Sequence, residues 1–291
     1  MSDSCQGCAS ASTCGGSCAE TEGPTAAQKV SRIKTVVAVA SGKGGVGKST
    51  VSAMLAVLLR RQGKKVGILD ADVTGPSIPK VFGLGDKASM NQVGIVPLES
   101  RTGIKVMSLN LIIENEDDPV VWRGPIISQL VCQFWTDVIW GELDYLILDL
   151  PPGTGDVPIS IFQTIPIDGV VMVSSPQQLA AMVVRKAIKM IKMYSASFYG
   201  IIENMSYLKC AECGSMQEVF GPSRGAEEAG SQDMPFLGRL PLDGKLVECA
   251  DKGQIEDYGS EEFDAVVQAL LREEPRVREQ GVTQPVGFKK G

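Results

Sequence analysis

Between an apolar run at residues 35–40 (TVVAVA) and an amphipathic run at 51–60 stands Gly42-Lys43-Gly44-Gly45-Val46-Gly47-Lys48-Ser49-Thr50. A glycine-rich string at a strand-to-helix junction constrains this chain more than any other feature. That context separates a phosphate-binding loop from a flexible connector. The glycines let the backbone curl with its N–H groups inward, and the helix start adds positive potential for phosphate oxygens. In such a loop Lys48 neutralises the β- and γ-phosphates and Ser49 sets its hydroxyl on Mg²⁺. A nucleoside triphosphate is the expected ligand of residues Gly42 to Thr50. Lys43 is one lysine more than the loop needs, and alone it would be no more than a solvated charge.

The remainder alternates short apolar runs with longer amphipathic ones. Strands are expected at 35–40, 65–70, 105–109, 145–150, 169–174, 198–203 and 236–240, and helices at 49–62, 126–140, 156–165, 177–194, 223–230, 245–252 and 261–273. Such alternation builds βαβ units, hence an α/β fold with a mostly parallel β-sheet flanked by helices on both faces. The run YLILDL at 145–150 is almost wholly apolar, as a strand buried on both faces must be. Residues 83–104 are glycine-rich and read as a hairpin or a loop. The implied organisation is a cysteine-rich metal-binding tail (1–33), one ATPase domain (34–274) and a polar tail (275–291).

Composition narrows the partners. Net charge is −6 with no Lys/Arg block, which argues against nucleic acid. No apolar run exceeds strand length, and residues 274–291, with two prolines and three glycines, form no basic amphipathic helix, so no membrane contact is expected. Residues 1–30 lack the apolar core of a secretory signal, which points to the cytoplasm, where eight cysteines are thiols or metal ligands rather than disulfides. Histidine is absent, so any soft-metal site must rest on thiolate.

Ligands of open α/β sheets sit beyond the carboxyl ends of strands. The second strand ends in Asp70, with Asp72 just beyond, and both suit Mg²⁺ ligation or orientation of an attacking water; a turn or helix cap is the lesser alternative for Asp70. Asp149 lies near the end of YLILDL, just before Pro151-Pro152-Gly153-Thr154-Gly155-Asp156, the arrangement that holds a Mg²⁺ shell while the following loop senses the γ-phosphate. Asp156 is also a candidate N-cap. Asn204 offers a paired amide donor and acceptor for an adenine edge, or serves as a turn residue.

Two sets of cysteines could bind metal. Cys210-Ala211-Glu212-Cys213 lies in a loop beyond a strand and supplies two thiolates where a tetrahedral or cubane site needs four. A two-fold dimer with that loop on its axis would supply four, for one bridging 4Fe–4S cluster; a redox pair and a zinc knuckle are the alternatives. Cys5, Cys8, Cys14 and Cys18 fall within fourteen residues, enough for a second 4Fe–4S cluster or a Cys₄ zinc site.

Lys43 within Lys-Gly-Gly-Val-Gly-Lys-Ser resembles the deviant phosphate loop of the MinD/ParA/nitrogenase-iron-protein superclass of ATPases. More widely, GKGGVGKST, DADVTGPSIPKVFG, VWRGP (121–125), DYLILDLPPGTGD, SSPQQLA (174–180), ENMSY (203–207) and the CAEC pair, in that order over about residues 34–250, resemble the Mrp/ApbC-type P-loop ATPases. The likeness is strongest to their cytosolic nucleotide-binding scaffold branch. The resemblance implies a homodimer, or a heterodimer with a related ATPase. ATP would be sandwiched between subunits and Lys43 would reach the partner's nucleotide. It implies that Asp72 positions water and that Asn204 reads adenine. It also implies slow, partner-stimulated ATP hydrolysis and a labile bridging cluster passed to recipient apoproteins. One departure stands out: the branch's distant first cysteine is missing, and Cys18 lies downstream of the Cys5/Cys8/Cys14 trio instead. Positioning ATPases acting on membrane or DNA, and ATP-coupled electron transfer, are the alternatives from the same superclass.

Overall fold

A computed structural model describes residues 24–73, 75–113, 124–194, 196–210 and 212–273. It opens with a short helix, α1 (Ala26–Lys29), inside the stretch read as tail. Thr25 caps it in a capping box and Ala27 is fully buried. There follow β1 (Arg32–Ser41), α2 (Lys48–Arg61), β2 (Val66–Asp70), α3 (Ile78–Val81), β3 (Ser89–Met90), β4 (Ile95–Val96), β5 (Leu98–Glu99) and β6 (Lys105–Met107). The second half comprises α4 (Gly124–Asp137), β7 (Glu142–Asp149), α5 (Asp156–Thr164), β8 (Gly169–Ser174), α6 (Gln178–Met193), β9 (Phe198–Lys209), β10 (Met216–Gln217), α7 (Gly225–Ser231), β11 (Phe236–Pro241), α8 (Gly244–Asp251) and α9 (Glu261–Arg272). Residues 83–104 hold the β3–β4 hairpin and the edge strand β5.

The sheet runs β10-β9-β8-β1-β7-β2-β6-β5, with β11 also on β9. Pairings between β11, β9, β8, β1, β7, β2 and β6 are all parallel; β5 and β10 are antiparallel additions. Alternation along β1 divides the core. Val37 and Val39 face the layer containing α2 and α9, whereas Val36, Ala38 and Ala40 face the layer containing α4, α5 and α6. With helices on both faces, β2 and β8 are buried from end to end, β8 reading GVVMVS with no exposed position.

One expectation needs correction. The run after the phosphate loop is not amphipathic in place: every residue from Val51 to Leu59 is buried, and exposure begins only at Arg60. The sheet covers one side of α2, and α9 with the 3₁₀ turn Ile255–Asp257 covers the other. Burying a residue such as Leu55 all round contributes about 1.5–3 kcal/mol. Leu55→Ala should therefore lower unfolding free energy by about 2–5 kcal/mol, measured by chemical denaturation. A loss below about 1 kcal/mol would contradict this packing.

Candidate functional site

β1 ends at Ser41 in the middle of the sheet, and the phosphate loop leaves it directly for α2. Ser41 Oγ donates to Lys43 O at 3.0 Å, and Gly153 N donates to Ser41 O at 2.9 Å, which draws the 151–155 loop against the phosphate loop. Gly47, the residue before α2, has φ +76°. A methyl there would stand 2.3 Å from Asn204 Nδ2, so glycine is required for both conformation and space. An open cleft is lined by Lys43, Gly44, Gly45, Gly47, Lys48, Ser49 and Thr50, with Ser41, Asp72 and Pro152 at its edge. Gly42 and Val46 are buried beneath the loop. Lys43 Nζ donates to Gln177 Oε1 at the start of α6.

At the mouth of α2 three side chains converge on the carboxylate of Asp149. Lys48 Nζ lies 2.8 Å and Ser52 Oγ 2.6 Å from Oδ1, and Ser49 Oγ lies 2.6 Å from Oδ2. Asp149 is fully buried and Lys48 nearly so. A hydroxyl and a carboxylate side by side at a helix N-terminus make the hard oxygen set that suits Mg²⁺ beside phosphate, so the residues fit the implied ion. Lys48 and Ser49 reach Asp149 across roughly 100 residues of chain, as β1 and β7 are neighbours in register.

The other acidic residues sort differently. Asp70 pairs with Asp149 in register on the adjacent strand and is buried. Its oxygens accept from the backbone N–H groups of Asp72, Ser77 and Ile78 at 3.1, 3.1 and 3.2 Å and from Ser108 Oγ at 3.3 Å. That is the cap alternative: Asp70 closes the 70–78 loop onto the start of α3. Burial first, and then the charge of Asp149, push its carboxyl well above the usual carboxylate range. Asp72 lies half-buried at the cleft edge. Asp156 is not an N-cap; it is the first residue of α5, capped by Gly155 without a side-chain bond, and acts there on the helix dipole.

One further correction concerns β9. The strand is expected to end at 203 with Asn204 in a turn or loop, but it continues to Lys209. Asn204 is buried inside it, and its Nδ2 donates to Val46 O at 2.9 Å. Cys210 and Cys213 lie in the turn beyond the strand, at the tip of the hairpin between β9 and β10. Cys210 N donates to Ser215 O and Gly214 N to Cys210 O, both at 2.9 Å, with Gly214 at φ +71°. Cys213 is exposed, with its Sγ 3.1 Å from Ser215 Oγ. Hydrogen bonds from the Ser215 side chain and backbone, and then from Cys210, hold the Cys213 thiol below its ordinary pKa. Among the described residues no three Cys, Asp or Glu gather as a metal site. The hairpin thus offers a soft metal half of a four-thiolate set. Cys132 and Cys249 are half-buried in α4 and α8. Cys5, Cys8, Cys14 and Cys18 lie outside the described residues.

Sequence reasoning missed Ser52, Ser41 and Gln177. Ser52 had a signal: it is a lone polar residue in the apolar run VSAMLAVLL, one turn beyond Lys48, and a buried hydroxyl needs a partner. Gln177 lies within the matched segment SSPQQLA, but nothing local ties it to Lys43.

The parallel sheet, the glycine loop at its centre and the Lys48–Ser49–Asp149 constellation define a P-loop nucleotide-binding protein. Comparison with known proteins gives the branch. The chain belongs to the NUBPL iron-transfer P-loop NTPases of the ParA group, whose family model matches residues 32–273. It is 41% identical over 271 residues to the iron-sulfur cluster carrier protein of Clostridium perfringens, covering 89% of this chain and 95% of the relative. A nucleotide-binding protein from Archaeoglobus fulgidus, solved in complex with ADP, is 44% identical and superposes with a TM-score of 0.71, covering 79% of this chain and 90% of that one. The cell division ATPase MinD of Pyrococcus furiosus, 18% identical with a TM-score of 0.59 over 82% of this chain and 99% of its own, shares the fold.

Gly47→Ala tests the cleft. The clash with Asn204 and the roughly 1–2 kcal/mol cost of a left-handed alanine should weaken ATP and ADP binding about tenfold or more by calorimetric titration. Unchanged affinity would contradict the geometry.

Proposed function

We propose that this chain is an ATP-dependent carrier of iron–sulfur clusters that holds a labile 4Fe–4S cargo between two copies and delivers it to recipient apoproteins in the cytoplasm. The observation that carries the reading is the position of Cys210 and Cys213, at the tip of a hairpin that directly continues the strand touching the phosphate loop. One hairpin offers two thiols and a cubane takes four, so two copies of this chain, or one copy and a related ATPase, complete the set. The carrier name of the Clostridium relative supports the same cargo.

The roles follow from the geometry. Gly44, Gly45 and Gly47 leave backbone N–H groups free to meet phosphate, and Lys48 neutralises it. Ser49 and Asp149 hold Mg²⁺, which offsets phosphate charge. Asp70, committed to the 70–78 loop, shapes the wall behind them. Asp72 at the cleft edge orients the attacking water. Asn204, with one N–H on Val46, keeps a second N–H and its oxygen for an adenine edge. Lys43 lies at the open side of the cleft and supplies charge to the nucleotide of the facing copy. Hydrolysis is slow until a partner completes the site. Cys5, Cys8, Cys14 and Cys18 hold a second, firmer cluster.

Iron and sulfide analysis with EPR on anaerobically prepared protein, before and after ATP, tests this. Cys210→Ser together with Cys213→Ser should remove the ATP-sensitive cluster signal and leave nucleotide binding intact. Lys48→Ala should reduce nucleotide affinity by more than about a hundredfold, since a buried charged partner of phosphate is worth about 3 kcal/mol or more, and leave amino-terminal iron in place. Zinc in place of iron and sulfide, or a monomer that persists with ATP and iron supplied, would refute the proposal.

A further inference from the structure

β9 and β11 run parallel but do not keep step. From Glu203 to Tyr207 β9 advances four residues, while β11 advances two, from Arg239 to Pro241. The surplus forms a bulge at 204–206 centred on Met205, whose φ of +54° is a left-handed value rare for a side chain of that size. Bulges re-aim side chains next to functional sites, and this one sends neighbours to different places. Asn204 donates to Val46 O in the phosphate loop at 2.9 Å. Ser206, fully buried, accepts from Arg239 Nε at 2.7 Å and donates to Glu203.

The far end of the bulge is also held. Arg239 Nη2 donates to Glu218 Oε1 at 2.8 Å, one residue past the hairpin strand β10, and its guanidinium lies 5.2 Å from the centre of the Tyr207 ring. Glu203, nearly fully buried, is anchored in turn by the N–H groups of Arg224 and Gly225 at 2.8 and 2.7 Å. Besides Arg239–Glu218, β10 is tied to the sheet by its two-residue pairing with Lys209 and Leu208. A six-residue strand step from Asn204 to Cys210 spans roughly 20 Å, too far for nucleotide to touch the thiols directly.

We propose that the 204–206 bulge is the link through which bound nucleotide acts on the thiol hairpin, and that Arg239 is the positioning residue fixing the hairpin end of that link. The inference rests on the reading of Cys210 and Cys213 as the cargo-handling pair and adds how ATP reaches them. Phosphate that shifts the Val46 carbonyl moves Asn204. The strand yields at its left-handed Met205, and the Ser206–Arg239–Glu218 chain carries the displacement to β10 instead of letting the hairpin swing freely.

The test measures iodoacetamide labelling of Cys213, read by peptide mass spectrometry, on reduced, metal-free full-length protein with and without Mg²⁺ and a non-hydrolysable ATP analogue. In the parent, nucleotide should change the labelling rate about fivefold or more, the lower end of ordinary site-to-site coupling. Arg239→Gln should cut that change below about twofold while nucleotide affinity stays within about twofold. Glu218→Ala, which removes the acceptor of the same bond at the half-exposed end and leaves buried Glu203 untouched, should do likewise and decides the matter if Arg239→Gln does not fold. A parent whose labelling ignores nucleotide, or a folded variant keeping the full response, overturns the proposal; simple shielding of Cys213 between two copies would persist in both variants. Failure to load iron with the labelling response intact counts against the carrier reading alone.

Discussion

A carboxylate with no access to water organises this molecule. Removing Asp149 from solvent costs several kcal/mol unless its charge is matched and its lone pairs are used. Lys48, Ser49 and Ser52, all from the first turns of α2, do both. The arrangement forces α2 to start where β7 ends, which places the phosphate loop over the carboxyl ends of the central strands. It also bears on Asp70, one strand over: burial, and then the charge of Asp149, drive that group toward its neutral form, and its oxygens accept from loop N–H groups.

From this centre a single element leads outward. β9 touches the phosphate loop at Asn204, passes the buried Glu203–Ser206–Arg239 network and ends at Cys210. The phosphate loop and Asp149 present hard oxygen donors, and the hairpin presents soft thiols. The fold keeps the two apart by the length of half a strand, yet joins them through main chain. The alternative readings of the thiol pair differ in what they ask of this geometry. A redox pair gains from a helix N-terminus, and here the thiols stand instead on a hairpin turn where Ser215 supplies the hydrogen bonds.

Much of the fold was legible in residue order. β8 coincides with the apolar run at 169–174, and α9 with the patterned run at 261–273 to within a residue, because burial on one or both faces leaves a period in the side chains. The phosphate loop was legible because glycine conformations are local. Two misreadings were of one kind. Glu203 and Asn204 look like the polar end of a strand, yet both are buried, since Arg224, Gly225 and Val46 satisfy them from far along the chain. Arg60 and Arg61 made α2 look like a surface helix, and α9 closes over the apolar turns before them.

The sequence by itself determined the class of sheet, the loop able to curl around phosphate, and a thiol pair that begins six residues beyond Asn204. These depend on φ/ψ preference and on spacing, which neighbouring residues carry. Tertiary structure alone decided that Asn204 would rest on Gly47 and Val46, that Asp70 would cap a loop, and that Arg239 would brace the thiol hairpin. Each polar group could have met several partners. Only closure of the sheet, with β9 slipped against β11, brings one of them within hydrogen-bonding reach.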